Sequence, residues 1–272
     1  ILKPISPPIL ISRINTHLRL RGAMDALAEQ NEELEERVRK RTRELEMLQD
    51  ATIGAMASLA ETRDNETGNH IRRTQHYVRA LAEELVRTGH YTESLTPEAI
   101  DLLYKSAPLH DIGKVGIPDS VLLKPARLTD EEFDLMKYHT TLGRAVLMTV
   151  EDSIDFKCDF LTIAKEIAYS HQEKWDGSGY PEGISGLDIP LSARLMALAD
   201  VYDALISERV YKPAFPHVEA VEIIAEGSGT HFEPVIVDVF LSIESTFKEI
   251  ASKYKDEGFD EDSFQLKASG EE

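Results

Sequence analysis

Cysteine is nearly absent from this sequence. One cysteine, Cys158, stands among 272 residues, which excludes an internal disulfide framework and any Cys-X-X-Cys metal knuckle, and fits a reducing cytoplasm. Cys158 itself reads as a small buried hydrophobe. No run of 18 apolar residues occurs, so no membrane span is expected. The opening "ILKPISPPIL" lacks a basic stretch, a small-residue cleavage site and a Met. It reads as a piece of a longer chain, not as a signal peptide. Positive charge is scarce: 30 Lys and Arg face 49 Asp and Glu, a formal charge of −19. That argues against DNA as a partner, because nucleic-acid faces are basic. A small anionic substrate stays compatible where cations, bound metals included, gather locally.

What is present is helical pattern. Pro7-Pro8 suits a first helical turn, and Ile11, Ile14 and Leu18 follow at helical spacing. The stretch "KPISPP…R…THL" resembles the end of a response-regulator receiver domain. That likeness implies that Lys3 matches the phosphate-contacting lysine and that the phospho-accepting Asp lies upstream. "MDALAEQNEELEERVRKRTRELEMLQD" then has no Pro or Gly and is dense in Glu and Arg. With Met24 at heptad position a, Asn31, Val38 and Leu45 follow at a, and Leu27, Leu34, Arg41 and Leu48 fall at d. Six of these eight seam positions are apolar, the pattern of a coiled coil, and Asn31 at a favours a parallel pair in register. A single solvated helix braced by Glu/Arg pairs is the alternative.

From about Asp50 to Lys255 the apolar spacing is helical almost throughout and no segment alternates, so an all-α domain is expected. The predicted helices include "PEAIDLLYKSAPLHDIGK", "TDEEFDLMKYHTTLGRAVL", "FLTIAKEIAYSHQ", "SARLMALADVYDALISE" and "PVIVDVFLSIESTFKEIASKY". Thr129 with Glu132 is a capping-box signature. A glycine-rich loop at 176–186 is the main irregular feature. The tail "DEGFDEDSFQLKASGEE" is acidic and poor in core residues, so disorder is expected there.

Residues suited to holding a cation sit on these helices: Glu66 and His70 one turn apart, the adjacent pair His110-Asp111, His139, His171, and Asp200. Asp200 lies inside "LMALADVYDAL", where an inward carboxylate is costly unless paired or metal-bound. A lone helical histidine is more often a packed residue than a ligand. Several in one bundle suggest a metal site built from facing helices. His-X-Glu in "HQE" is similar to the zinc deaminase signature, but the downstream Cys pair is missing, and a His-Glu-X-X-His helix is missing too. Imidazoles and carboxylates without sulfur suit Fe or Mn, with Zn also open. An Asp beside a His can bridge two such ions, an arrangement suited to in-line hydrolysis of phosphate esters.

"HDIGK" together with "HQEKWDGSGYP" and the following "ARLMALADVYDAL" resembles the HD-GYP family, metal-dependent phosphohydrolases of the HD superfamily that cleave cyclic di-GMP. The resemblance implies an HD-superfamily helical bundle holding two or three divalent ions, Fe or Mn, on Glu66, His70, His110, Asp111, His139, His171 and Asp200. Asp111 matches the bridging carboxylate, and Lys114 the lysine that points at the scissile phosphate. Arg209 and Lys212 match the phosphate-holding pair, and Tyr180 a hydrogen-bonding contact near the substrate. Arg73 is expected to orient a carboxylate, and Glu173 and Asp176 to orient neighbours rather than to bind metal. Two departures stand out: His171-Gln172 replaces the usual pair of histidines, and "RVYK" replaces "RPYK". An altered additional metal site follows from the first, with Glu66 keeping a third ion open.

The expected division is a receiver remnant at 1–21, a coiled-coil linker at 22–50, the HD-GYP domain at 51–252 and the acidic tail at 253–272. The expected function is hydrolysis of cyclic di-GMP to pGpG, and onward to GMP, by a cytoplasmic response-regulator output module. The expected assembly is a parallel homodimer, with no membrane contact. Two alternatives remain. One is hydrolysis of another cyclic dinucleotide or a phosphomonoester; the other is a non-catalytic module binding a nucleotide or a diguanylate cyclase (GGDEF) domain through "GYPEGISG".

Overall fold

The computed structural model describes residues 6–63, 68–207 and 214–255. Lys3, Glu66, Arg209, Lys212 and the acidic segment after Lys255 lie outside the described residues. Ten α-helices and no strand are found among the described residues, as the absence of alternation leads one to expect.

Helix α1 runs unbroken from Pro7 to Thr62. The chain divides into two compact units between Thr52 and Ile53. In the first unit every described residue is exposed, the heptad positions Met24, Leu27, Leu34, Val38, Leu45 and Leu48 included. Glu33 pairs with Arg37 and Arg41 with Glu44 along its surface, each at 2.8 Å.

The second unit is a helical bundle. Its elements are α2 (Gly68–Arg87), α3 (Pro97–Ser106), α4 (Asp119–Leu122), α5 (Asp130–Glu151), α6 (Asp159–Ser170), α7 (Leu191–Ile206), α8 (His217–Glu226), α9 (Pro234–Ser242) and α10 (Glu244–Lys253). Its main core forms where α2, α7, α9 and α10 meet. Tyr77 stacks on Phe247 with ring centroids 4.4 Å apart, and Tyr202 stands edge-on to both. Each such fully buried ring contributes roughly 1.5–3 kcal/mol. On α2, one buried face carries Tyr77, Val78, Leu81 and Leu85, and the same face carries Thr74, Arg73 and His70 toward the N-terminal end. Helical repeat therefore delivers a histidine and an arginine to the interior on the stripe that builds the core. Helix α7 does the same with Leu195, Leu198, Ala199 and Tyr202, placing Asp203 in the interior and Asp200 at its edge.

Thr129 caps α5 reciprocally with Glu132, as its sequence predicts. Two predicted helices are interrupted. The segment from Pro97 to Lys114 stays α-helical only to Ser106, then tightens into a 3-10 turn at Ala107–Leu109 and another at Ile112–Gly116. Pro108 lacks an N–H and its ring clashes with the preceding turn, so the α-helix cannot continue. His110 and Asp111 fall in the gap between the two 3-10 turns. The segment from Pro234 breaks at Ile243 (φ −123°, ψ 20°), a break nothing in the structure explains. Cys158 is half-buried, not buried, because it precedes the first turn of α6 and covers a small core cluster from one side only.

The 3-10 turn after Asp111 lies against α5 at backbone distance. A Cβ on Gly113 would stand 1.9 Å from the His139 carbonyl oxygen and 2.4 Å from the Gly143 nitrogen. Gly113→Ala should therefore push α5 outward and destabilise the second unit by about 3 kcal/mol. Gly54→Ala, with open space around its added carbon, should be neutral or stabilising. Thermal unfolding of the two variants checks this: a midpoint for Gly113→Ala equal to that of the parent would contradict the close approach.

Candidate metal centre

Four histidines from four places in the chain turn their rings toward one another inside the second unit. His70 comes from α2, His110 from between the two 3-10 turns, His139 from α5 and His171 from the end of α6; all four are buried. Each ring is held at Nδ1. His110 contacts the Ala107 carbonyl at 2.9 Å, His139 the Met136 carbonyl at 2.8 Å, and His171 the Ile167 carbonyl at 2.9 Å. His70 Nδ1 lies 2.8 Å from Asp203 Oδ2. Backbone carbonyls and the ionised Asp203 carboxylate only accept, so each of these Nδ1 atoms carries a proton, and a neutral ring so held presents a lone pair at Nε2.

Those Nε2 atoms converge. His70 and His110 approach to 3.4 Å, His139 and His171 to 3.5 Å. Two lone pairs at that distance repel unless a cation lies between them. The ligand atoms form two groups, His70 with His110 and Asp200, and Asp111 with His139 and His171, each with all its ligand atoms within 4.8 Å of one another. Asp111 reaches both groups. Its Oδ1 lies 3.4 Å from His139 Nε2 and 3.6 Å from His171 Nε2, and its Oδ2 lies 3.3 Å from His110 Nε2. Buried Oδ1 accepts no hydrogen bond among the described residues, as suits an oxygen reserved for a cation. The donor set, imidazole and carboxylate without thiolate, fits divalent metal ions.

The charges around the two groups act in different directions. Burial pushes the His110 ring toward its neutral form, but Asp111 and Asp200 outweigh this and raise its pKa above the ordinary value. Burial also works against ionised Asp111, yet Lys114 and His110 hold its carboxyl well below the usual range. Burial lowers His139 to about 4, so its ring is neutral near pH 7. Lys114 Nζ sits 2.8 Å from Asp111 Oδ2.

Two carboxylates join the centre that the sequence did not single out. Buried Asp203, three residues after Asp200, orients His70 and is itself gripped by Arg73, whose Nε donates to Oδ1 at 2.6 Å and Nη2 to Oδ2 at 2.9 Å. This is the carboxylate that Arg73 was expected to orient. A second Asp one turn along an apolar helix is the signal that marks it. Buried Glu61, in the last turns of α1, brings Oε1 to 3.9 Å from His70 Nε2. Asp200 is half-buried, with Oδ1 3.7 Å from His70 Nε2.

The loop after His171 walls the centre. Glu173 accepts the backbone N–H groups of Glu182 at 2.7 Å and Gly183 at 3.1 Å, and exposed Asp176 accepts that of Ser178 at 2.9 Å. A Cβ on Gly179 would meet the Lys174 nitrogen at 2.3 Å, so only glycine lets the chain fold back here. The Trp175 N–H donates to the His231 carbonyl at 3.1 Å, anchoring the loop to the segment before α9. Beneath Trp175, half-buried Arg194 pairs with buried Glu233. Tyr180 is thereby placed with its ring centroid 6.2 Å from that of His139. Burial, then the charges of Asp111 and Asp200, push its hydroxyl pKa upward, so it remains a donor. The Gln172 carbonyl accepts the Tyr180 N–H at 3.1 Å.

A family model described as an HD domain matches residues 23–236. The chain is 54% identical, over 257 residues, to a probable cyclic di-GMP phosphodiesterase of Vibrio cholerae serotype O1, covering 94% of this chain and 58% of that protein. It is 60% identical over 213 residues to a cyclic di-GMP phosphodiesterase of the same organism, covering 78% of this chain and 43% of that one. The chain thus spans about half the length of these curated relatives. Among solved structures, a cyclic GMP-AMP specific phosphodiesterase of V. cholerae matches with a TM-score of 0.51 at 20% identity, covering 82% of this chain and 53% of that one, a likeness of fold. With most of the chain matched and His110-Asp111 at the junction of the two ligand groups, the chain belongs to the HD-domain family.

Proposed function

We propose that this chain is a metal-dependent phosphodiesterase that hydrolyses cyclic di-GMP to pGpG and onward to GMP. The observation that carries the reading is the convergence of the His110, His139 and His171 Nε2 atoms on Asp111, whose two oxygens face different ligand groups. The names of the relatives at 54% and 60% identity supply the substrate.

His70, His110 and Asp200 would hold one ion, and Asp111, His139 and His171 the other, with Asp111 shared. Bound there, a pair of divalent ions supplies Lewis-acid stabilisation of the charge on the attacking and leaving oxygens of an in-line displacement. The chain's own groups do the rest. Asp203 and the three backbone carbonyls keep the protons on Nδ1, so that the Nε2 lone pairs stay available. The Lys114 ammonium, beside Asp111, stabilises negative charge developing on the phosphoryl oxygens. Tyr180 donates its hydroxyl toward a phosphate oxygen, and the clamped loop carrying it excludes water from one side. Arg209 and Lys212 are assigned to the second phosphate of the cyclic substrate, and Glu66 to a third ion weakened by Gln172 in place of an imidazole. Iron or manganese is the assigned metal.

The first unit is assigned to dimerisation, as a parallel coiled coil at 22–50 that follows a receiver remnant at 1–21 and precedes an HD-GYP domain at 51–252. The exposed stripe from Met24 to Leu48 supports this, and Asn31 would set the register. The assignment is to a cytoplasmic response regulator, with a GGDEF domain as a further partner for the loop at 179–186. No helix among the described residues is long and apolar enough to cross a membrane.

Protein purified without oxygen should carry about two iron or manganese ions per chain and turn cyclic di-GMP into pGpG, as read by elemental analysis and product chromatography. Asp111→Asn should lose at least one ion and roughly a thousandfold in turnover. Asp203→Asn should keep the fold but retain metal about 10- to 100-fold more weakly. Full metal content without turnover of cyclic di-GMP, alongside turnover of another cyclic dinucleotide, would replace the substrate assignment. For the assembly, sedimentation equilibrium should give a dimer that becomes a monomer when Leu34 and Val38 are both replaced by Glu; a parent chain that sediments as a monomer removes the coiled coil.

A further inference from the structure

We propose that Phe133, Lys137 and Tyr180 form a platform that receives one guanine base of the substrate, an inference that rests on the phosphodiesterase reading above. Phe133 and Lys137 stand one turn apart near the start of α5, the helix that carries His139. Phe133 is 44% exposed although it lies beside a packed loop. Its ring meets Tyr180 at 6.1 Å and 85°, and Tyr180 in turn meets His139 at 6.2 Å and 89°. The aromatic series therefore leads outward from a metal-ligating ring to the rim in two steps, a distance suited to the span from a phosphate to its own base. The Lys137 ammonium lies 5.0 Å from the Phe133 centroid and 5.9 Å from that of Tyr180. Its ion-pair partner Asp134 is 70% exposed and holds it weakly.

An exposed aromatic face beside an ammonium is the equipment for stacking a base and reading its edge. Guanine offers two acceptors side by side, O6 and N7, whereas adenine offers N7 beside an amino donor. An ammonium that only donates therefore favours guanine. Tyr180 serves both ends: its hydroxyl faces the charged centre and its ring supports the base. Packing alone would account for Phe133 only if the ring were covered by the loop, and nearly half of its surface is not.

Steady-state kinetics on the full metal-loaded chain test the platform. Phe133→Ala should raise KM for cyclic di-GMP about tenfold or more while kcat changes less than threefold, and Phe133→Trp should restore KM. Lys137→Met should shrink the preference for cyclic di-GMP over cyclic di-AMP by about tenfold. An unchanged KM in Phe133→Ala, a fall in kcat with no rise in KM, or an unchanged base preference in Lys137→Met overturns the proposal. Bis(4-nitrophenyl) phosphate, a diester without a base, separates the two levels. Parent protein that cleaves it but no cyclic dinucleotide defeats the substrate assignment, and the platform with it. Parent protein that cleaves cyclic di-GMP with a KM insensitive to Phe133 defeats the platform alone.

Discussion

The centre depends on where four protons sit. Each histidine keeps its proton on Nδ1 and donates that N–H to a fixed oxygen, three of them backbone carbonyls within four residues and the fourth the Asp203 carboxylate. The remaining lone pairs have nowhere to point but at one another. That arrangement is unfavourable in an empty protein and favourable around cations, so the bundle stores its preference for metal in hydrogen bonds made away from the metal. Short-range bonds do most of this: a helix places a ring and its own preceding turn supplies the acceptor. Only His70 needs help from afar, and there Arg73 and Asp203 form a buried bidentate pair to provide it.

Asp111 is the second constraint. It can face two ligand groups because it does not lie on an α-helix. Pro108 ends α3 a turn early, the chain tightens, and Asp111 takes up φ −104°, ψ 12° between two 3-10 turns. Gly113 then permits α5 to lie directly on this segment, which brings His139 to the Asp111 carboxylate. Fold and chemistry are thus joined at one short stretch, "HDIGK". Opposite it, the loop from Glu173 to Gly186 is rigid for local reasons, a buried carboxylate gripping two N–H groups and a glycine packed against backbone.

Helical class, the capping box of α5 and the clustering of His70, His110, Asp111, His139, His171 and Asp200 were legible because each rests on residue type and spacing. Imidazoles and carboxylates on apolar helical faces are costly to bury without partners, and the structure brings these six together. Asp203 and Glu61 were not singled out. Asp203 carried a usable signal, a second Asp one turn along the same apolar helix, whereas Glu61 in "LAETRD" has an unremarkable local pattern and matters only through its approach to His70. The interruption at Pro108 was missed because the apolar spacing continues through it, although the proline alone was sufficient warning. The resemblance of the glycine-rich loop to a known family located Tyr180, whereas Phe133 and Lys137 drew no attention until their rings and charge stood beside it.

Anomalous diffraction from crystals grown with manganese tests the central claim most directly. Two peaks are predicted within one molecule, one within bonding distance of His70 Nε2, His110 Nε2 and Asp200, the other of His139 Nε2, His171 Nε2 and Asp111, with Asp111 touching both. Histidine rings flipped to bind through Nδ1, or a centre that takes up no manganese at saturating concentration, would contradict it.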